Sequence, residues 1–127
     1  MFILEWGHQF VRCICSGSVS GSELLRANQL IHADARFDEL KFMTFNMEDV
    51  EKIDVSIPDI ERVAAFGVGA ARSNPNLRCA MVSTSEDLYG LSSMYQMTME
   101  EAGGATWSMG MFATTDAAEI WLSQECV

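Results

Sequence analysis

Hydrophobic and polar positions change their period several times along the chain. Two short β-like runs, Phe2 to Trp6 and Gln9 to Ser16, flank Gly7-His8 and predict an opening hairpin. The stretch Ser20-Gly21-Ser22-Glu23 then has the form of a capping box. Leu24, Ala27, Asn28 and Ile31 follow at helical spacing, which predicts a helix over about residues 21–34. Leu40 to Met47 is apolar on both sides of a strand, as expected for a central parallel strand covered on each face. A short acidic loop leads to a second helix, Pro58 to Arg72, closed by the helix-hostile Ser73-Asn74-Pro75-Asn76. Leu77 to Thr84 predicts another central strand, and Ser85 precedes a third helix over about 86–102 that ends at Gly103-Gly104. Ala105 to Ala113 predicts the last strand. Thr115 caps a short final helix whose stripe is Ala118, Trp121 and Leu122.

The resulting order, β-β-α-β-α-β-α-β-α, predicts an α/β fold with a mainly parallel sheet of about five strands, an antiparallel edge hairpin strand and about four helices. At 127 residues without repeats or linkers, a single domain over 1–127 is expected. Hydrophobic residues make up 49% and charged residues 20%, a globular balance, and no run approaches the roughly 18 apolar residues that a membrane span needs. MFILEWGHQF lacks the basic flank and small-residue cleavage site of a secretory leader, so a cytoplasmic location is expected. Net charge is −10, with the eight Lys and Arg scattered from Arg12 to Arg78, which excludes a nucleic-acid partner and opposes permanent attachment to an anionic membrane. Transient peripheral contact through a local apolar face stays open.

Candidate chemistry is sparse. Cys13, Cys15, Cys79 and Cys126 show no metal-ligand spacing, and only His8 and His32 could join them, so no metal site is expected. Cys13 and Cys15 would share one face of a strand, poorly oriented for a mutual disulfide. With Cys79 they read as small buried hydrophobes in a reducing compartment. There is no nucleophile elbow, P-loop or dinucleotide fingerprint. Gly67-Val68-Gly69 lies inside a helix, where it reads as close packing, and neither His8 at a turn nor His32 at a helix end has a catalytic partner. No catalysis and no cofactor are expected.

Two features hold functional interest. The first is Ser56, at the corner from the Leu40–Met47 strand into the second helix. Its hydroxyl is either an N-cap, with Asp59 completing a box, or lies just outside a helix capped at Ile57 with Pro58 first; a phosphate there would meet the positive end of the helix. The second is the third helix. Leu88, Leu91, Tyr95, Met99 and Ala102 form a core stripe, while Tyr89, Met94 and Met97 fall to its sides or far face. Of nine methionines, five lie between residues 94 and 111, and such side chains repack readily around varied apolar partners. These residues either fill gaps or a homodimer contact, or they line an adaptable pocket between the second and third helices, made by Phe66, Tyr89, Met94, Met97 and Trp107, for a small lipid-like molecule. Gly90 and Gly103-Gly104 would let the third helix tilt or detach as a gate.

The motifs also resemble a known family. Ile53-Asp54-Val55-Ser56 is similar to the apolar-Asp-Ser-Ser-Gly signature of STAS domains, the fold of bacterial anti-sigma-factor antagonists. Asn74-Pro75 before Ala80-Met81-Val82, with Phe112, Asp116-Ala117-Ala118 and Trp121-Leu122, resembles the small stand-alone STAS/SEC14-like proteins. The resemblance implies a STAS-like fold and two functions: lipid handling, or an interaction switch in which Asp54 matches the family's aspartate and Ser56 the serine phosphorylated by a partner kinase. Val55 departs from the first Ser of the signature, and Ile57-Pro58 replaces the Gly-apolar pair, which obstructs close backbone approach by a partner.

Overall fold

A computed structural model describes residues 1–102 and 107–124. A hydroxyl fixes the start of each of its four helices: Ser20, Ser56, Ser85 and Thr114 accept the backbone N–H of Glu23, Asp59, Leu88 and Ala117. Each satisfies a donor that the first helical turn would otherwise leave without a partner. The elements are β1 (Phe2–Gly7), β2 (Phe10–Ser20), α1 (Gly21–Ala33), a 3₁₀ turn (Phe37–Glu39), β3 (Phe42–Asp54), α2 (Ile57–Ser73), β4 (Arg78–Val82), α3 (Glu86–Glu101), β5 (Ser108–Phe112) and α4 (Thr115–Ser123). The sheet order is β1-β2-β3-β4-β5, with β1 antiparallel to β2 and the other pairs parallel, as the alternation of elements predicts.

α1, α2 and α3 cover one face of the sheet. Val11, Met43, Ile31, Ala64 and Met99 form one buried cluster there, and Cys13, Cys15, Leu24, Met47 and Val63 another. Among the described residues, α4 alone covers the other face, setting Ala118 and Leu122 on Ala80 and Val82. Arg78 straps α4 down by donating to the carbonyl of Trp121 at 2.8 Å, with its guanidinium 4.3 Å from the Trp121 ring centre.

The structure corrects several boundaries. The stretch expected to be an acidic loop, Glu48 to Asp54, is the second half of β3, paired with Ser16 to Ser20 as a ribbon. Val50, Ile53 and Val55 pack inward while Glu48, Asp49, Glu51 and Asp54 face water, so the inward spacing is uneven across the register shifts and is masked by acid content. Gly17, at φ +65°, lies where register shifts allow the ribbon to twist. Thr114, not Thr115, caps α4; the Thr115 hydroxyl bonds Glu48 instead. Ala102, expected in the core, is exposed. Gly103-Gly104, Ala105 and Thr106 at the start of the expected strand, and Cys126 all lie outside the described residues.

Asn74 is the buried polar pin. Its side-chain amide donates to the carbonyls of Phe37 and Leu40, both at 2.8 Å, and its own carbonyl accepts the Trp107 indole N–H at 2.6 Å. It ties the end of α2 to the 3₁₀ turn and to the start of β5. Asn74→Ala leaves the Leu40 carbonyl without its donor and the Phe37 carbonyl with only the Leu40 N–H, and the expected cost is about 2 kcal/mol, read from urea denaturation.

His32 shows a second buried constraint. Both ring nitrogens are shut off from solvent without a hydrogen-bond partner among the described residues, and the ring lies edge-on to Phe37 and Trp107. Burial pushes its pKa down to about 4, so the imidazole is neutral and not the helix-end cation that its position predicts. The unfolded chain binds this proton from about pH 6.5 downward and the folded chain only near pH 4. Stability from this residue is therefore complete above about 6.5 and lost as pH falls toward 4, by about 3 kcal/mol at most. Equilibrium unfolding between pH 7.5 and 4.5 should show this loss, and His32→Leu should flatten it by the slope of one proton.

Candidate functional site

Parallel pairing of β2 with β3 continues to Ser20 opposite Asp54, so the helices that follow start side by side. Ser56 is the N-cap of α2, which resolves the choice left by the sequence: Ile57 and Pro58 open the helix and Asp59 stands at its third position. The box is reciprocal. Ser56 Oγ accepts the Asp59 N–H at 3.3 Å, and Asp59 Oδ2 accepts the Ser56 N–H at 2.9 Å. The Ser56 N–H, then its hydroxyl and Arg62 (3.2 Å away), hold the Asp59 carboxyl below its ordinary range.

Gly21, first residue of α1, faces the same carboxylate. A Cβ there would stand 2.1 Å from Asp59 Oδ2, so only glycine admits this approach. α1 begins with its own reciprocal box between Ser20 and Glu23, and Glu23 also pairs with the amino terminus at 2.8 Å. The corner thus joins two helix starts through one carboxylate. Ser56, Asp54 and Ile57 are all exposed on it.

The second feature is a hollow of about 290 Å³ between α3 and the sheet. Ile60 and Val63 of α2 and Leu88, Tyr89 and Leu91 of α3 wall it, over a floor of Met43, Met47, Met81, Met109 and Met111. Gly67 lets α2 approach α3: a Cβ there would meet the Tyr95 hydroxyl at 2.6 Å and Met99 Sδ at 3.0 Å. Burial raises the Tyr95 phenol, with Cys79 nearby adding to it, and burial raises the Cys79 thiol, so both stay protonated. Cys13 and Cys15 are fully buried on one strand face with sulfurs 3.8 Å apart, and burial together with their shared hydrogen bond keeps the Cys13 thiol protonated.

Of the five residues expected to line a pocket between α2 and α3, only Tyr89 borders this hollow. Phe66 and Met97 are 45% and 58% exposed, on outward faces of their helices. Met94 is half-buried elsewhere on α3. Trp107 is buried 33 residues on from Asn74 in sequence and bonded to it, a structural position. The methionines of the floor were the missed signal: Met43 with Met47, and Met109 with Met111, repeat with strand period and share a face. Among the described residues, no three His, Cys, Asp or Glu gather as a metal site, and no helix is long and apolar enough to cross a membrane.

The sequence matches no family model and no curated protein. Its fold does match solved structures. The anti-sigma factor antagonist SpoIIAA in its unphosphorylated form superposes with TM-score 0.60 at 13% identity, over 94% of this chain and 94% of that one. The phosphorylated form of SpoIIAA, a Bacillus cell fate determinant, gives 0.60 at 14% identity, over 96% and 99%. An uncharacterised protein of the DUF3478 family with a SpoIIAA-like fold, from Shewanella loihica, gives 0.55 at 12% identity, over 96% and 92%. The chain is thus a STAS-type, SpoIIAA-like α/β domain in fold.

Removing the cap hydroxyl tests the corner's structural share. Ser56→Ala should lower unfolding free energy by about 1 kcal/mol, measured by urea denaturation, with the far-UV spectrum unchanged.

Proposed function

We propose that this protein is a non-catalytic, cytoplasmic regulatory module of the anti-sigma-factor-antagonist type, whose partner reads the β3–α2 corner and is dismissed when Ser56 is phosphorylated. One observation carries the reading: an exposed serine hydroxyl holds a reciprocal cap with Asp59 in a SpoIIAA-like fold. Phosphorylation would put about two negative charges beside a carboxylate that sits 2.9 Å from the Ser56 nitrogen, so the box must open. The freed N–H groups and Arg62 can then receive the phosphate. Because Asp59 also fits against Gly21, its departure would be felt at α1.

Tagged wild-type, Ser56→Ala and Ser56→Asp proteins should separate in affinity capture followed by mass spectrometry. The expected result is a regulator or kinase retained by wild type and Ser56→Ala and depleted about tenfold with Ser56→Asp, together with a phosphopeptide at Ser56 in wild type. Equal recovery with all three baits, and no such phosphopeptide, would exclude the switch.

The hollow beneath α3 supports a second reading, a small apolar ligand held between α3 and the sheet. The membrane contact and SEC14-like lipid handling expected from the sequence gain no support from the comparisons. Phe66, Tyr89 and Met97, though exposed, are flanked in sequence by Glu61, Glu86, Asp87, Glu100 and Glu101, which oppose an anionic bilayer.

A further inference from the structure

We infer that the hollow under α3 is selective for a small uncharged apolar molecule and rejects carboxylates and phosphate-bearing lipids. The inference rests on the second reading, that the hollow takes a ligand at all. Among the described residues, no Asp, Glu, Lys, Arg or His contributes to its lining. A ligand anion would therefore enter without a counter-charge, and an unpaired buried charge is costly. The protein's net charge of −10 adds a repulsive field. The same low-dielectric surroundings keep Tyr95 and Cys79 protonated, and they would act on a ligand carboxylate in the same direction.

Size narrows the class further. At roughly 30 Å³ per water-sized group, 290 Å³ holds about ten non-hydrogen atoms, so the rest of a longer ligand would extend out of the hollow into solvent. The methionine floor is soft and polarisable, suited to an alkyl chain or an aromatic ring of variable outline. Ser92 and Gln96, on the α3 side of the lining, offer hydrogen bonds to one hydroxyl or carbonyl oxygen. Entry is supplied by α3, in which only Leu88 and Met99 are buried and Gly90 borders open space. Such a helix opens at low cost relative to the rest of the fold.

The test compares 1-octanol with octanoate, matched in chain length and differing in charge, by isothermal titration at pH 7.5 with ¹H–¹⁵N and methionine-methyl spectra to locate the site. Octanol should bind at one equivalent with shifts at α3 and the floor methionines, and octanoate at least about tenfold more weakly. Ser92→Lys puts a cation into the lining on an accessible helix. It should raise octanoate affinity about tenfold while leaving octanol within about threefold of wild type. Equal wild-type affinity for the two probes, or no gain of octanoate binding in a folded Ser92→Lys protein, would overturn the charge selectivity and leave the hollow as a ligand site. Absence of binding by either probe would remove both the selectivity and the ligand reading.

Discussion

The parallel pairing of β2 with β3, running from Phe10 opposite Phe42 to Ser20 opposite Asp54, decides where the candidate corner lies. Backbone hydrogen bonds along this ribbon carry both strands past the centre of the sheet and end them at the same level. α1 and α2 must then start next to each other, and the close approach of Gly21 to the Asp59 carboxylate follows from that level. Had β3 ended at Met47, Ser56 would stand on a loop with no fixed relation to α1. Under the proposed switch, a phosphate on Ser56 would act at two helix starts at once.

Uneven holding of the three helices on one sheet face produces the hollow. α2 buries Ile60, Val63, Ala64, Gly67, Ala70 and Ala71, whereas α3 buries only Leu88 and Met99. Contact between the two is set near Gly67, where Tyr95 and Met99 come close, and this leaves space toward the N-terminal half of α3. Methionine and half-buried polar side chains occupy the margin of that space, so it is apolar without being rigidly filled. Corner and hollow share α2: its first residues hold the cap, and Ile60 and Val63, a turn further on, wall the hollow.

Elements with strong local signals were legible in the chain. The Ser20–Glu23 box, the helical spacing of Leu24, Ala27 and Ile31, and the stop at Ser73-Asn74-Pro75 each appear in the structure within a residue or two. Signals that mislead did so for identifiable reasons. Acidic residues in Glu48 to Asp54 hid the strand because register shifts there leave only every second or third side chain meeting the core, which breaks the two-residue period. Trp107 read as a pocket residue because an aromatic near a methionine-rich helix gives no hint that its N–H is committed to Asn74. Asn74 read as a helix terminator, which it is, but its three long-range hydrogen bonds have no local trace.

By itself, the sequence determined the order of strands and helices, the capping box at Ser20 and the lack of charge along the third helix's inner stripe, because periodicity, caps and turn residues act over a few neighbours. Only the tertiary structure decided that Ser56 and not Ile57 caps α2, that Asp59 meets Gly21, and that methionines from three strands face one hollow. The last two depend on register and on distances between elements far apart in the chain, about which local propensity carries no information, and the first is a choice between two caps that the local residues allow equally.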